Sequence, residues 1–571
     1  MSDSTGEAAS WDVYPRPQLK RNSFFSLNGT WSVTVGRDEA QDIQVPFCIE
    51  SALSGVKKRV STGLSVCYRK SFRLPEGFRK ERVLLHFGAV DQIARVVVND
   101  HFYGSHEGGY TAFSFDITDS VRAGKENELL VFVEDYLDLH VQPWGKQKEK
   151  RGGMWYTPVT GIWQSVWLES VPELYIRDLA IQTREDRVSI DFSASGAPEN
   201  IRKLLNGRLQ LQDGLQKVTV PIREGHAEFI VQEPHFWTPE DPFLYHFEVS
   251  IAEDQFSSYF ALRDISVGEC GGIPRLLLNG KPYFFHGVLD QGYFQDGIYT
   301  PETPEAYSKD LQLLKDCGFN MLRKHIKVEP EIFYYYCDSM GIAVFQDMVN
   351  CGSYHYVRDT VLPTIGVGKN RRDRHLNRNP RARAAFEKNM EATVRQLQNH
   401  PSIVYWTIFN EGWGQFEGSQ MYEKLKALDN SRIIDTASGW YHGKDLKTDV
   451  ESRHVYFKPA KPVKSDRPYI LSEFGGYTLE VPGHLFNPQK SYGYKGHASK
   501  EALMADLQTL FERDVIAAIP LGLCADIYTQ LSDVEDEING LVTYDRAVVK
   551  VEPAVLKALS ERIAEAMRDV H

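Results

Sequence analysis

Short runs of alternating apolar and polar residues fill the N-terminal part of the chain. Residues 82–90 read RVLLHFGAV, and residues 94–118 read ARVVVNDHFYGSHEGGYTAFSFDIT. Glycine, asparagine and aspartate separate these runs, a pattern typical of strands joined by tight turns. We predict a β-sandwich domain over residues 1–173. Residues 174–268 repeat the pattern with RVSIDFSAS and GRLQLQD, and their length predicts an immunoglobulin-like β-sandwich.

From residue 269 onwards the pattern changes to helices alternating with short apolar strands. The helical segment TPEAYSKDLQLLKDCG is followed by strand candidates such as FNMLRKH, IAVFQDM, IVYWTIFNE and PYILSEFGG. Regular alternation of strands and helices predicts a parallel sheet closed into a (β/α)8 TIM barrel. The sequence therefore predicts a multidomain β plus α/β protein, with the barrel over residues 269–571.

Two of the predicted barrel strands end in a glutamate that is soon followed by glycine. Glu411 precedes Gly412 and Gly414, and Glu473 precedes Gly475. The carboxyl ends of barrel strands form the active-site face, so the two carboxylates can face each other across a pocket. Retaining glycoside hydrolysis needs such a pair. We expect the glycines to let the backbone turn tightly beneath a ligand, although either glutamate could simply end a buried strand.

Six motifs, spread over nearly the whole chain, resemble glycoside hydrolase family 2, which includes β-galactosidases, β-glucuronidases and β-mannosidases. The resemblance implies a jelly-roll sugar-binding first domain, an immunoglobulin-like second domain and a catalytic TIM barrel. The motifs are SLNGTWSV, GIWQSVWLE, WTPEDPFLY, NMLRKH, NHPSIVYWTIFNE and SEFGG.

Carried over residue by residue, the resemblance implies roles for five barrel residues. Glu411 would be the acid/base and Glu473 the nucleophile. Asn410 would hydrogen-bond the sugar 2-hydroxyl, a contact that strengthens in the transition state. Arg323 would lie beside the nucleophile and Tyr456 would donate a hydrogen bond to it. We expect this pair to lower the pKa of Glu473, whereas Glu411 needs surroundings that let it hold a proton.

Further residues are candidates for binding the sugar, each with a simpler alternative. His454 could face the pocket or pack in the barrel, and Trp413 could stack on a sugar ring or belong to the core. Glu535 and Asn539 lie in the acidic stretch QLSDVEDEINGL, which could bind hydroxyls or form an acidic surface loop. The remaining candidates for hydroxyl recognition are Asp347, in VFQDMVN, and Asp290, in GVLDQG.

One departure from the family bears on which sugar is bound. Glucuronidases of this family carry an Asn-x-Lys motif just before a GxxTxDR-like stretch, and its lysine binds the sugar carboxylate. Here EINGLVTYDR places Glu537 and Asn539 there. A glucuronate carboxylate would then face a like charge, which disfavours β-glucuronidase activity.

We therefore predict a retaining exo-β-glycosidase that removes a terminal neutral sugar, with β-galactosidase as the first choice. β-Glucosidase, β-mannosidase and α-L-arabinopyranosidase activities are the alternatives on the same scaffold. A non-catalytic carbohydrate-binding protein is an alternative of another class, but both carboxylates are present.

Composition excludes several other classes of function. The net charge of -12 comes from mixed charges, so a nucleic-acid partner is not expected. The basic run at residues 368–386 is predicted to be a solvated loop entering a helix. The seven cysteines include no CxxC pair, and no glycine-rich turn has dinucleotide spacing. No His/Glu cluster can be placed near Glu411. We predict no cofactor and no metal.

The N-terminal stretch MSDSTGEAASWDVYPRPQLKR has no apolar signal-like region. No segment reaches the roughly 18 apolar residues that a membrane span needs. We therefore expect a cytoplasmic protein without a membrane partner. Its expected partner is an oligosaccharide or a small glycoside, and a homo-oligomer is left open.

Overall fold

The structure is a computed structural model that describes residues 11–194, 202–213, 216–364, 376–443, 445–461 and 463–570, together with Val367 and Asp373. Its first domain is an antiparallel β-sandwich, as predicted. A six-stranded sheet of order β3-β2-β4-β10-β7-β8 lies against a four-stranded sheet of order β1-β12-β5-β9, and β11 pairs with β6. The strands are β1 Phe24–Ser26, β2 Gly29–Val35, β3 Gln41–Val45, β4 Val66–Arg73, β5 Arg82–Phe87, β6 Val90–Asp91, β7 Ile93–Val98, β8 His101–Glu107, β9 Phe113–Asp116, β10 Glu126–Glu134, β11 Gly161–Ile162 and β12 Val166–Val171.

The second domain is a smaller sandwich with its own apolar core, which confirms the immunoglobulin-like prediction. Alternation places apolar side chains of both sheets inside, for example along Tyr245–Ile251. The sheets have orders β13-β14-β17 and β16-β15-β18-β19. The strands are β13 Ile176–Arg184, β14 Arg187–Ala194, β15 Gly207–Asp213, β16 Gln216–Ile222, β17 His226–Ile230, β18 Tyr245–Ile251 and β19 Asp254–Phe260.

A small antiparallel sheet leads into the third domain. It consists of β20 Ile265–Cys270, β21 Ile273–Leu278 and β22 Lys281–Pro282. The domain boundaries at residues 173 and 268 remain a prediction.

Eight parallel strands then form a nearly closed barrel, as predicted, and the four strand candidates named from the sequence are among them. Their order in the sheet is β27-β26-β25-β24-β23-β32-β29-β28. Seven of them are buried along most or all of their length, as expected for strands covered on both faces. The barrel strands are β23 Phe285–Asp290, β24 Met321–Lys324, β25 Ala343–Asp347, β26 Ile403–Asn410, β27 Ile433–Ser438, β28 Glu451–Val455, β29 Tyr469–Gly475 and β32 Leu523–Thr529. A further pair is β30 Tyr477–Leu479 and β31 Lys495–His497.

Helices surround the barrel. The end of the basic run, residues 380–386, forms the start of one of them, whereas residues 368–372, 374 and 375 of the run lie outside the described residues. The side chain of Asn379 caps α4 by accepting hydrogen bonds from the backbone of Arg381 and Ala382. None of the described helices is both long and apolar enough to cross a membrane. The helices are α1 Glu305–Asp316, α2 Glu331–Met340, α3 Leu362–Thr364, α4 Pro380–Leu397, α5 Gly418–Leu428, α6 Lys500–Leu510 and α7 Pro553–Arg568.

A loop of the first domain, residues 144–158, lies on the carboxyl end of the barrel, and we call it the bridging loop. The backbone N–H of Trp144 donates to the carbonyl of Asn350 at 3.1 Å, just beyond β25. The ring of Trp155 packs on Trp413, with the centroids 5.1 Å apart. The first domain therefore contributes a wall to the barrel's active-site face.

Candidate active site

The two candidate glutamates lie at the ends of their strands and face each other. Glu411 follows β26 directly, and Glu473 lies near the end of β29. Nδ1 of His454 is 2.8 Å from Oε1 of Glu411 and 3.4 Å from Oε2 of Glu473. One oxygen of each glutamate and this nitrogen all lie within 4.8 Å of one another. The two carboxyl groups therefore share one pocket, with His454 between them.

The backbone around Glu411 turns sharply, as the glycines predicted. Glu411 has a φ of +50°, and Gly412 and Gly414 have φ of +75° and +67°. A Cβ on Gly412 would meet the ring of Tyr441, and one on Gly414 would meet the carbonyl oxygen of Cys351. We expected these glycines to make room for a ligand. The groups that approach them are protein groups, so glycine is needed here for packing as well as for the turn.

Arg323, on β24, joins the nucleophile candidate to its neighbours. Its Nη1 donates to Oε1 of Glu473 at 3.1 Å, and its Nη2 donates to Oδ1 of Asn410 at 2.8 Å. The same guanidinium binds both oxygens of Asp347, at 2.9 and 3.0 Å. Because Arg323 is only 1% exposed, these charge-assisted bonds form in a water-poor environment, where they fix geometry strongly.

Several charges and one hydroxyl act on Glu473. Burial opposes its ionisation, but interactions with His454 and Arg323 outweigh burial and lower the pKa of Glu473. Tyr456 adds to this effect, because its hydroxyl donates to Oε2 of the same carboxylate. Glu473 is therefore ionised near neutral pH, as a nucleophile must be.

Asp347 is placed beside the site but has no free oxygen. Oδ2 lies 2.8 Å from Nδ1 of His325, and both oxygens accept from Arg323. Burial opposes ionisation of Asp347, yet the charge of Arg323 lowers its pKa. Burial also lowers the pKa of His325 to about 4, so this imidazole is neutral near pH 7. The observed contacts make Asp347 an anchor for Arg323 and His325.

Asp290, at the end of β23, is held in a buried ion cluster. Its Oδ2 accepts from Nζ of Lys324 at 2.5 Å, and its Oδ1 accepts from the backbone of Gly292 at 2.8 Å. Lys324 also donates to Glu329 at 2.9 Å. Sugar recognition by Asp290 stays a prediction.

The acidic stretch at residues 530–541 is buried, so the surface-loop alternative is wrong. Its four acidic residues are only 2–3% exposed. The bridging loop covers two of them: the backbone of Thr157 donates to Oε1 of Glu535 at 2.8 Å, and Arg151 pairs with Glu535 and Asp536. Asp533 pairs instead with Lys550 at 2.6 Å. Residues about 380 positions apart in the chain thus form one surface of the pocket.

Glu537 and Asn539, at the positions of the family's Asn-x-Lys motif, bind each other. Nδ2 of Asn539 donates to Oε1 of Glu537 at 3.0 Å. The hydroxyl of Tyr156 donates to the other oxygen, Oε2. Both oxygens of Glu537 are therefore bound within the protein, and neither needs a ligand to satisfy it.

Trp413 packs in a cluster of aromatic residues beside the pocket. It is 2% exposed, and its ring lies 5.1 Å from Trp155 and 5.6 Å from Tyr354, measured between centroids. Nζ of Lys146 lies 5.6 Å from the Trp413 ring centroid. Nε1 of Trp413 is buried and makes no hydrogen bond among the described residues. Core packing is the observed role, and stacking on a sugar stays a prediction.

Several residues of the site were missed by the sequence analysis. Ser438 supports His454, with 3.1 Å between its Oγ and Nε2. Tyr494 stacks on Tyr456 with 4.0 Å between centroids. Lys146 and Tyr156 come from the bridging loop, which has no periodic pattern that could have marked it as part of the site.

A His/Glu cluster does lie near Glu411, contrary to the expectation from the sequence. Glu411, His454 and Glu473 bring three potential ligand atoms together. Two of these three residues are the carboxylates that a hydrolytic mechanism would use. A metal bound by all three residues would therefore compete with that role.

Comparison with known proteins agrees with the three-domain fold. Models of glycosyl hydrolases family 2 match the sugar-binding domain over residues 11–172, the second domain over 174–263 and the TIM barrel domain over 274–564. The chain belongs to glycosyl hydrolases family 2.

Relatives with different activities resemble the chain to similar degrees. A β-galactosidase of Thermoanaerobacter pseudethanolicus is 25% identical over 77% of this chain, which spans 57% of that protein. A β-glucuronidase of Streptococcus agalactiae is 23% identical, with 82% of this chain and 84% of the relative covered. The solved structure of β-D-glucuronidase for Dictyoglomus thermophilum has a TM-score of 0.74 at 19% identity, covering 97% and 98% of the two chains.

Proposed function

We propose that the protein is a retaining exo-β-glycosidase that removes a terminal β-linked sugar. One observation carries this proposal: carboxylate oxygens of Glu411 and Glu473 lie within 4.8 Å of each other. Retaining enzymes place their two carboxyl groups about 5–5.5 Å apart, whereas inverting enzymes leave about 6.5–9.5 Å for a water molecule. The spacing therefore favours double displacement.

In the first step, Glu473 acts as the nucleophile. Its carboxylate oxygen attacks the anomeric carbon and forms an ester bond, while the bond to the leaving-group oxygen breaks. Glu411, hydrogen-bonded to His454 at 2.8 Å, donates its proton to that oxygen. Asn410 is already oriented by Arg323 through its side-chain oxygen, which leaves its amide N–H groups for the sugar 2-hydroxyl.

In the second step, water releases the sugar. Glu411, now a carboxylate, takes a proton from water, and the water oxygen attacks the anomeric carbon. The ester bond to Glu473 breaks, and its carboxylate is restored beside Arg323 and Tyr456. Two inversions give net retention of the β configuration.

The identity of the sugar is a further part of the proposal. The sequence favours β-galactoside, with β-glucoside, β-mannoside and α-L-arabinopyranoside as alternatives. The relatives include both β-galactosidases and β-glucuronidases, so they support a neutral and an acidic sugar alike. A silent carbohydrate-binding protein is disfavoured because both carboxylates and Arg323 are in place. Cytoplasmic location and self-association also stay predictions.

Covalent trapping tests the proposed mechanism. A 2-deoxy-2-fluoro β-glycosyl fluoride of the cleaved sugar should inactivate the protein and add one sugar mass to the peptide that contains Glu473. The Glu480→Gln variant, which changes an exposed glutamate directly after β30, should be labelled as the wild type is. Labelling on any other residue would contradict the assignment of Glu473.

A further inference from the structure

The side chain of Lys146, on the bridging loop, is largely buried and has no counter-ion among the described residues. It is 6% exposed. Its Nζ lies 5.5 Å from the ring centroid of Tyr156 and 5.6 Å from that of Trp413. Across the described part of the chain, this nitrogen makes neither a hydrogen bond nor an ion pair.

The other buried lysines behave differently. Lys324 and Lys327 each pair with Glu329 at 2.9 Å, and Lys550 pairs with Asp533 at 2.6 Å. Burying an ammonium group costs free energy unless an anion and hydrogen bonds compensate it. Lys146 is therefore the one buried lysine of the described residues whose charge is left for an outside partner.

Lys146 points at the wall of the pocket that contains the two glutamates. Trp413, beneath its ammonium group, is two residues beyond Glu411. The positive charge of Lys146 also acts on His325, which contacts Asp347 in the Arg323 network. The cation thus lies over Trp413, just beyond β26, and its charge acts on a member of the polar network around Arg323.

Other unsatisfied polar groups lie on the adjoining segments. Both side-chain atoms of Asn350 are buried without a hydrogen-bond partner among the described residues, and so is Nε1 of Trp413. The carbonyl of Asn350 accepts from the backbone of Trp144, two residues before Lys146. Buried polar groups are rarely left unsatisfied in folded proteins. Their clustering here indicates a site for a polar ligand whose anionic part would meet Lys146.

We propose that Lys146 binds the carboxylate of a β-linked uronic acid, which makes the substrate a β-uronide; this rests on the proposed glycosidase function. A carboxylate would supply the missing counter-ion and accept charge-assisted hydrogen bonds. Lys146 thereby has the same role as the lysine of the Asn-x-Lys motif in the family's glucuronidases, which binds the sugar carboxylate.

Contacts within the protein weaken the like-charge argument against a uronide. That argument required Glu537 to face the substrate carboxylate. Its two oxygens are instead occupied by Tyr156 and Asn539. Tyr156 lies between Glu537 and Lys146, because its hydroxyl contacts the first and its ring faces the second.

The test compares Lys146→Met with wild type on p-nitrophenyl β-D-glucuronide, β-D-galacturonide, β-D-glucoside and β-D-galactoside. We expect wild-type kcat/KM to be higher for a uronide than for its neutral counterpart. Lys146→Met should lower kcat/KM for that uronide by on the order of 100-fold. The values for the neutral glycosides should change less than about threefold. Lys150→Met, which removes an exposed charge from the same loop, should leave kcat/KM for all four substrates unchanged.

Three results would overturn the role of Lys146. Wild type could have a higher kcat/KM for neutral glycosides than for uronides. Lys146→Met could leave kcat/KM for the uronide unchanged, or it could lower kcat/KM for all four substrates equally. The first and second results would leave the proposed glycosidase function standing if turnover still depends on Glu473. If no substrate were cleaved, the glycosidase proposal would fail separately.

Binding and stability supply readouts that do not depend on turnover. By calorimetry, wild type should bind free D-glucuronate or D-galacturonate at least about tenfold more tightly than D-glucose or D-galactose, and Lys146→Met should lose this preference. Lys146→Met should have an unfolding midpoint equal to or above that of wild type, because it removes an unpaired buried charge. Equal binding of uronates and neutral sugars, or a clearly lower midpoint, would contradict the proposal.

Discussion

The two cations that border the pocket are used in opposite ways. Arg323 belongs to a barrel strand, and its guanidinium is saturated by Glu473, Asp347, Asn410 and the carbonyl of Ser472. Lys146 belongs to a loop of another domain and has no counter-ion among the described residues. A saturated cation holds catalytic groups in position whatever the substrate, whereas an unsaturated one acts only when an anion arrives. On our proposals, the barrel carries the chemistry and the bridging loop recognises the carboxylate of the sugar.

The largest effect is expected from removing the charge of the nucleophile. Glu473→Gln should lower kcat by at least about 10⁴-fold on every glycoside that the protein cleaves, because no glycosyl ester can form. Steady-state kinetics on acidic and neutral aryl glycosides would measure this loss. Lys146→Met should lower kcat/KM only for uronides. If Glu473→Gln likewise lowered turnover of only one class of glycoside, the proposed separation between catalytic and recognition residues would be wrong.

A smaller loss is expected from removing the acid/base. Glu411→Ala should lower kcat for glycosides with poor leaving groups by about 10²–10⁴-fold. Its effect on kcat for activated dinitrophenyl glycosides should be much smaller. Azide should then restore turnover of activated glycosides by attacking the ester on Glu473, giving a β-glycosyl azide. Azide should not rescue Lys146→Met. A product of α configuration, or no rescue of Glu411→Ala, would count against the role of Glu411.

Tyr456 should have a smaller and pH-dependent effect. Its hydroxyl stabilises the ionised form of Glu473, which helps to lower the pKa of this carboxyl. Tyr456→Phe should therefore move the acidic limb of the kcat/KM profile to higher pH and lower the value there by about tenfold. Lys146→Met should leave the position of this limb on neutral glycosides unchanged. An acidic limb that stays in place in Tyr456→Phe would show that Tyr456 does not control ionisation of Glu473.

The barrel residues of the site could be predicted from the sequence, whereas those of the bridging loop could not. An apolar strand with a polar end is encoded locally, so the barrel strands, Glu411 and Glu473 were identifiable from IVYWTIFNE and PYILSEFGG. Arg323 was carried by the family motif NMLRKH, and the structure shows it beside Glu473 at 3.1 Å.

The rest depended on contacts between distant segments. Whether residues 530–541 are exposed is decided by Arg151, Tyr156 and Thr157, which come from another domain. The sequence around Lys146 does not show whether its ammonium group has a counter-ion, because that depends on every residue that packs around it in the fold. Sequence position alone therefore pointed to Glu537 as the residue that would meet the sugar carboxylate, although its oxygens are bound within the protein.

The configuration of the first product tests the central claim, that Glu411 and Glu473 form a retaining pair. Proton NMR can follow hydrolysis of whichever aryl β-glycoside is cleaved, on a timescale shorter than mutarotation. The account predicts that the β-anomer of the free sugar appears first and the α-anomer grows in later. Initial release of the α-anomer would mean a single displacement by water and would contradict the account.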